Sequence, residues 1–274
     1  MDFDPEVYDN SNNDTLLPAK KLINIINDFK PVNSKFSTIV DIGCGSGNMT
    51  KLYAEHIDSQ RFIGCDIDPK MIDFATKENR KSNIDYVLQD IQQDWDRFSP
   101  ELKALKHRVS VITSNFALTW VKDIRTASQN ISNLIANDGF VVLNIVYDGD
   151  IYDRLDPNDR ILAEKYLKYP TEEEMIGKWI NGLKKSGFSK IDIHYWEPKA
   201  VFTEKVYYEE YLNVPMNWYK SYAKLTNGSN VEMSKLLKRL LIEDRCKRLD
   251  TKSSKGEDLI EVTNYIWQII ASKS

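Results

Sequence analysis

Ile39-Val40-Asp41-Ile42-Gly43-Cys44-Gly45-Ser46-Gly47 decides the fold: an apolar run ends in a carboxylate, glycine follows at alternate positions, and a helical segment, Gly47 to His56, continues the chain. Glycine takes positive φ angles at little cost and lets the backbone come close to a ligand, so the stretch reads as strand, ligand-facing turn and helix. The spacing then separates two kinds of ligand. A dinucleotide fingerprint carries its third glycine three residues after the second, and that position is Asn48. Asp41 adds a negative charge at the strand end, which welcomes a cation and repels a pyrophosphate. A purely structural turn is the alternative that the flanking sequence has to answer.

Outward from this turn, β-rich runs alternate with helix-period segments between Ser37 and Tyr147, the trace of a parallel sheet with crossover helices. Strands are expected at Thr38 to Ile42, Arg61 to Asp66, Ile84 to Leu88, Arg108 to Ser114 and Gly139 to Tyr147. Helices are expected at Gly47 to His56, Pro69 to Arg80, Ser99 to Leu105 and Lys122 to Ala136, with a turn at Asn137-Asp138-Gly139. Further on, Thr171-Glu172-Glu173-Glu174 opens a helix that stops at Gly187. A sixth strand alternates through Ile191, Ile193 and Tyr195, and Glu261 to Ala271 suits a closing strand beside it. Met233, Leu236, Leu237, Leu240 and Leu241 recur at helical spacing within an insertion from about Val206 to Ser254, with Lys235, Lys238 and Arg239 on a solvated face. The expected architecture is an α/β, Rossmann-like fold: a seven-stranded, mostly parallel sheet with helices on both faces and a helical lid made by the insertions. One domain is expected over 1–274, with an N-terminal lid and helix in 1–36, a cofactor core in 37–147 and lid insertions with closing strands in 148–274.

Bulk properties narrow the function classes. The 274 residues carry 42% hydrophobic and 28% charged side chains, enough for a sizeable core. A net charge of -4 argues against a broad grip on a nucleic-acid backbone and makes a small molecule the default partner. Cys44, Cys65 and Cys246 are far apart and odd in number, so neither a disulfide framework nor a metal site is expected. The opening residues are acidic, and no apolar run is long enough to span a bilayer, so a cytoplasmic, non-membrane protein is expected.

Two more acidic strand ends join the first. Asp66, in Gly64-Cys65-Asp66-Ile67-Asp68, follows the glycines by the interval at which a ribose diol is held, and Ile67 could pack on a base. Asp68 before Pro69 reads as a helix N-cap. Asp90 ends the third strand, where its oxygen could accept from an adenine amino group, although an ordinary loop aspartate would look the same. Three carboxylates and a glycine turn on the carboxyl edge of one parallel sheet resemble the class I S-adenosyl-L-methionine (SAM)-dependent methyltransferases, over roughly Thr38 to Val146. The resemblance implies that Asp41, Gly43, Cys44 and Gly45 line the methionine part of SAM, Asp66 the ribose, and Asp90 with Ile91 the adenine. Met71, Asn115 and Phe116 complete that implied cofactor set.

The fourth strand leads into Phe116-Ala117-Leu118-Thr119-Trp120, and here the sequence resembles the group containing juvenile hormone acid O-methyltransferase and trans-aconitate methyltransferase. The resemblance implies that the Trp120 indole N–H donates to a substrate carboxylate, and that Tyr8 and Asn12, in a lid-like Tyr8-Asp9-Asn10-Ser11-Asn12, help to close the site. Packing of Trp120 in an apolar wall is the alternative. Two positions depart from the group: Thr119 stands where a histidine is usual, and Thr15 where a glutamine would give a second hydrogen bond to the acid. A carboxylate is already ionised at neutral pH and needs no base, so no catalytic side chain beyond positioning is required. His56, His107 and His194 all fall away from the carboxyl ends of the motif strands. Aromatics in the insertions, among them Tyr152, Tyr166, Trp179, Tyr207, Tyr208 and Trp218, suit a lid over an apolar acid or a helical cap with its own core. Methylation of a small apolar acid of the juvenile hormone acid or farnesoic acid kind is therefore expected. An amine or hydroxyl acceptor and a SAM-binding protein without turnover stay open beside it.

Overall fold

A computed structural model describes residues 4–10, 13–30, 32, 34–147, 155–166, 171–212, 235 and 246–273. The contacts group the chain into two compact units: Thr15–Val146 with Glu173–Trp196 and Ile266–Ser274, and Met1–Asp14 with Tyr147–Glu172 and Glu197–Tyr265.

The larger unit is built on seven strands: β1 (Phe36–Ile42), β2 (Ser59–Asp66), β3 (Ile84–Leu88), β4 (Val109–Asn115), β5 (Ile135–Val146), β6 (Lys190–Trp196) and, after three strands of the other unit, a last strand, Ile266–Ser272. In space they run β3-β2-β1-β4-β5, then the last strand, then β6. All neighbouring pairs from β3 to β5 are parallel, and the last strand is antiparallel to both β5 and β6. This is the mostly parallel seven-stranded sheet expected from the alternation of patterns.

Its strands are apolar because both faces are covered. The row Ile84, Phe62, Ile39, Val111, Phe140 lies in register across five strands and forms one core with Leu22 and Ile26 of α2 (Asn13–Asp28) and Tyr53 and Ala54 of α3 (Asn48–His56). Val40, Ile63, Ile112 and Val141, which alternate with that row, are equally buried. On the helices, α4 (Pro69–Glu78) buries Met71, Ile72 and Ala75, and α6 (Ile124–Leu134) buries Ala127, Ile131 and Leu134. A helix at Glu172–Lys185 crosses α6 so closely that a Cβ on Gly182 would stand 2.5 Å from Ser128 Oγ. Trp179 of that helix is fully buried in the core, which removes it from the aromatics expected in a lid.

Local differences from the sequence expectation have physical causes. The expected turn at Asn137-Asp138-Gly139 lies inside β5 and appears as a register shift against β4, between the pairs Val109↔Ile135 and Val111↔Phe140. Gly139 permits it, since a Cβ there would meet the carbonyl oxygens of Val109 and Ser110 at 2.8 Å. The short helix after Ser99, α5, is only Pro100–Lys103.

The tail divides into two strands rather than one. Asp258–Thr263 pairs in a three-stranded antiparallel sheet with Lys199–Thr203 and Cys246–Lys252, the former being β7 and the latter β8, so Asp258–Thr263 is β9 and Ile266–Ser272 is β10. This small sheet of the second unit replaces helix in part of the segment expected as a helical insertion. Its reason is period-two burial: Phe202, Ile260 and Val262 turn inward with Tyr207, while Val201 is exposed. The same unit holds α1 (Pro5–Asn10) and α7 (Pro157–Tyr166), which makes Glu172–Lys185 helix α8. The helix expected at Met233 to Leu241 lies outside the described residues apart from Lys235, as do Tyr152 and Trp218. No helix among the described residues is long and apolar enough to cross a membrane.

Candidate functional site

The glycine turn after β1 has the backbone that its sequence demands. Gly43, Gly45 and Gly47 take φ of 73°, 53° and 84°. At Gly43 the demand is also steric, for a Cβ would stand 2.0 Å from the Ala117 Cβ of the turn after β4. The Gly43 and Cys44 N–H groups both donate to the Cys65 carbonyl, at 2.7 and 3.0 Å, which ties the turn to the end of β2. Tyr86 braces it from β3, donating from its hydroxyl to Gly47 O at 3.1 Å or Asn79 O at 2.9 Å, and Asn79 donates to Ser46 O at 2.9 Å.

Two carboxylates are set into this turn. Asp41 is 3% exposed and accepts from the Thr50 hydroxyl of α3 at 2.6 Å. Burial pushes its pKa up to about 7, against the Thr50 hydrogen bond and with a further push from the Asp66 charge. Asp66, half-buried at the end of β2, accepts from the Gly45 N–H at 2.9 Å and the Asp68 N–H at 2.9 Å. Burial raises its pKa as well, while those N–H donors oppose the rise. A carboxylate offers about four lone-pair sites, so two such bonds leave capacity for a diol. Burial beside both carboxylates drives the Cys44 thiol well up, so it is an inert wall of the turn.

Ile67, immediately after Asp66, is 62% exposed, an apolar side chain presented at the strand end. Met71, in contrast, is buried in α4 against the sheet. Asp90 accepts from the Gln92 N–H at 2.8 Å through Oδ1. Ile91 is buried, and its carbonyl accepts from Asn130 at 2.8 Å.

The end of β4 supplies the remaining candidates. Phe116 has φ of 73°, uncommon for a residue with a side chain, and its N–H donates to Asn144 O at 3.0 Å. Asn115 belongs to a chain of amides: Gln268 donates to Asn144, Asn144 to Asn115, and Asn115 to the carbonyl of Thr15, at 3.0, 2.9 and 3.1 Å. Thr15 is buried in the first turns of α2. The Thr119 hydroxyl lies 3.1 Å from the N–H and 3.2 Å from the carbonyl of Val146, so the residue in the place of the group's histidine closes the end of β5. Trp120 ends the one-turn 3-10 helix Ala117–Trp120 and is half-buried. Tyr8 is in α1 of the other compact unit, and Asn12 lies outside the described residues.

Residues 40–143, from the middle of β1 to the middle of β5, match the model of the family described as methyltransferase domain. This segment is a methyltransferase domain. The resemblance drawn from the glycine turn and acidic strand ends, to class I SAM-dependent methyltransferases, thus holds for the core. The chain is 26% identical over 126 residues to malonyl-[acyl-carrier protein] O-methyltransferase of Acetivibrio thermocellus, covering 46% of this chain and 41% of that one. It is 28% identical over 117 residues to juvenile hormone acid O-methyltransferase of Bombyx mori, covering 42% of this chain and 40% of that one. Trans-aconitate 2-methyltransferase of Yersinia pseudotuberculosis is 25% identical over 211 residues, 75% of this chain and 70% of its own. The chain therefore spans about two fifths of the first two relatives. In architecture it is similar to phosphoethanolamine N-methyltransferase 2 of Haemonchus contortus, solved with phosphomonomethylethanolamine and S-adenosylhomocysteine (SAH), at a TM-score of 0.54, 15% identity, and coverage of 93% of this chain and 53% of that one.

In and around this segment, the residues that sequence reasoning passed over are the braces: Thr50, Asn79 and Tyr86 within it, and the amides Asn144 and Gln268 beyond it. Only Asn144, a lone amide in the apolar run Val141-Val142-Leu143-Asn144-Ile145-Val146, carried a signal in sequence.

Proposed function

We propose that this chain binds SAM at the carboxyl edge of its large sheet and transfers the methyl group to a carboxylate oxygen of a small apolar acid. The observation that carries the cofactor half is the pairing of Asp41 with Asp66 in a glycine turn. A buried carboxylate with its pKa lifted to about 7 by desolvation is a site waiting for a cation, and one held by the Gly45 N–H faces the same turn. Exposed Ile67 supports a flat apolar partner beside Asp66. Bound SAM would supply a methyl group on a positively charged sulfur, which an acid oxygen can take in line as the neutral thioether leaves. The chain's own part is to hold and orient: Asp41 toward the cationic amino-acid end, Asp66 on the ribose hydroxyls, Asp90 at the adenine, and Trp120 as indole donor to the acid. Gly43, Gly45, Asn115 and Phe116 shape the wall. Orientation alone contributes up to roughly 7–11 kcal/mol in well-aligned reactions, and an ionised acid requires no base.

The acid is supported by three relatives whose names each carry one: a malonyl group, juvenile hormone acid and trans-aconitate. Two experiments separate the halves of the reading. Calorimetry with SAM and SAH should give a Kd in the micromolar range, lost by at least tenfold in Asp66→Ala. No heat from either ligand overturns the cofactor assignment. A panel of farnesoic, medium-chain fatty and tricarboxylic acids, followed by mass spectrometry for methyl esters, should yield an ester with an apolar acid and lose it in Trp120→Ala. Methylation of amines or alcohols alone overturns the acid assignment and leaves the cofactor untouched.

A further inference from the structure

Gln92 stands two residues beyond Asp90 and bonds in both directions. Its backbone N–H donates to Asp90 Oδ1 at 2.8 Å, and its side-chain amide lies 3.4 Å from the same oxygen. The other end of that amide accepts two successive backbone N–H groups, from Lys122 at 2.7 Å and Asp123 at 2.9 Å. Asp123 in turn caps α6 by accepting from the Thr126 N–H at 3.0 Å and hydroxyl at 2.7 Å. One amide therefore joins the carboxylate after β3 to the loop that follows Trp120. A second joint runs alongside, where Asn130 of α6 donates to the carbonyls of Ile91 and Gln93, each at 2.8 Å.

We infer that Gln92 is a positioning residue: it links occupancy of the cofactor end at Asp90 to the order of the turn carrying Trp120, so that cofactor binding prepares the acceptor side. The inference rests on the cofactor reading above. A primary amide has a donor end and an acceptor end in one rigid plane. When a ligand amino group takes Asp90, the carboxylate is fixed in orientation, the donor end of Gln92 is fixed with it, and the acceptor end holds Lys122 and Asp123 in a single position. Asn130 keeps the two segments together whether or not Gln92 is present, and Lys122 and Asp123 are exposed, so water can satisfy their N–H groups once the amide is gone. Replacement of Gln92 is thus compatible with folding.

Hydrogen exchange on the full chain, with and without SAH, tests the link. In the wild type, SAH should slow exchange of peptides covering 117–126 by about tenfold, the equivalent of one or two hydrogen bonds held more of the time. Gln92→Leu should bind SAH within about threefold of wild type and lose that slowing, since both ends of the amide are gone. Gln92→Glu keeps an oxygen for Lys122 and Asp123 but sets a second carboxylate beside Asp90. It should hold the 117–126 segment as wild type does in the free protein and bind SAH about tenfold more weakly, a split that a merely structural residue would not produce. SAH-linked slowing that persists in Gln92→Leu, or equal losses in both variants, overturns the inference. Wild-type protein that binds no SAH overturns the cofactor reading itself, and is told apart by the absence of any heat in calorimetry.

Discussion

Replacing Asp41 by Asn should make the cofactor-free protein more stable at neutral pH and a poorer binder of SAM. In the folded chain the carboxyl is 3% exposed and its pKa lies near 7, against an ordinary value of 3.8. The sign is opposite to that of a salt-bridged acid. Between about pH 4 and 7 the unfolded chain releases the proton and the folded chain keeps it, so stability falls as pH rises through that window and levels off above it. At ~1.4 kcal/mol per pH unit the span corresponds to ~4 kcal/mol, an upper bound for a buried group that can relax. Asn keeps an oxygen for the Thr50 hydroxyl, whose bond is 2.6 Å in the wild type, and has nothing to ionise. Urea unfolding at pH 5, 6, 7 and 8 should therefore show the variant gaining on the wild type by up to ~2.7 kcal/mol, nearly all of it between pH 5 and 7. Binding supplies the complementary slope. A cationic ligand favours the ionised carboxylate, so SAM affinity should weaken as pH drops below 7, with release of close to one proton per SAM at pH 6, measurable by calorimetry in buffers of different ionisation enthalpy. A wild-type minus variant difference that is flat from pH 5 to 8, or proton uptake on binding, would refute the assignment of Asp41 as the cation's counter-charge.

Gly43→Ala places a Cβ 2.0 Å from that of Ala117 at φ of 73°. The left-handed backbone alone costs roughly 1–2 kcal/mol and the overlap another ~1–3, so thermal unfolding should fall by about 5–15 °C with SAH binding lost; an unchanged midpoint contradicts the tight approach of the two turns. Asn144→Leu leaves the buried Gln268 amide and the half-buried Asn115 oxygen without their partner, for about 1–3 kcal/mol by denaturant titration, and loosens the exchange of amides near Thr15. Gly177 in α8 serves as a contrast, because nothing lies within 4 Å of a Cβ built there. Its change to Ala should raise stability by roughly 0.5–1 kcal/mol, and a loss would mean that the α8 surface is covered.

The sequence made the motif strands legible because each is a local pattern: the apolar run of β1, its alternating glycines, and the carboxylates at Asp41, Asp66 and Asp90. β3 was placed to the residue, at Ile84–Leu88. What local patterns hide is pairing at a distance. Asn115, Asn144 and Gln268 are isolated polar residues along the chain, yet the β-sheet register sets them side by side across β4, β5 and β10. Thr119 could be recognised in sequence only as a departure from a histidine, whereas its bonds to Val146 give it a task of its own. The small sheet was missed for a different reason. Its strands are five to seven residues long and half exposed, so an alternating pattern of such length competes poorly with helical spacing nearby.

Several departures from ordinary folding rules fall at the carboxyl edge of the large sheet. Asp41 is buried at the cost of its charge, and Phe116 sits at positive φ. The hydroxyls of Ser46 and of Thr113, which pairs in register with Asp41, are buried without a hydrogen-bond partner among the described residues. Each of these costs about 1–3 kcal/mol, and none is needed to close the sheet, whose apolar rows lie further toward its amino edge. A molecule that supplies a cation to Asp41 and polar atoms to the turn recovers part of that cost, so its binding should stabilise the domain beyond what added apolar contact alone would give. At a hundredfold excess over Kd any ligand selective for the folded state adds ~2.7 kcal/mol. The distinguishing result is how that gain depends on pH: with SAM it should grow from pH 5 to 7 and vanish as a pH effect in Asp41→Asn, because the recovered cost is that of keeping one carboxylate ionised in the core.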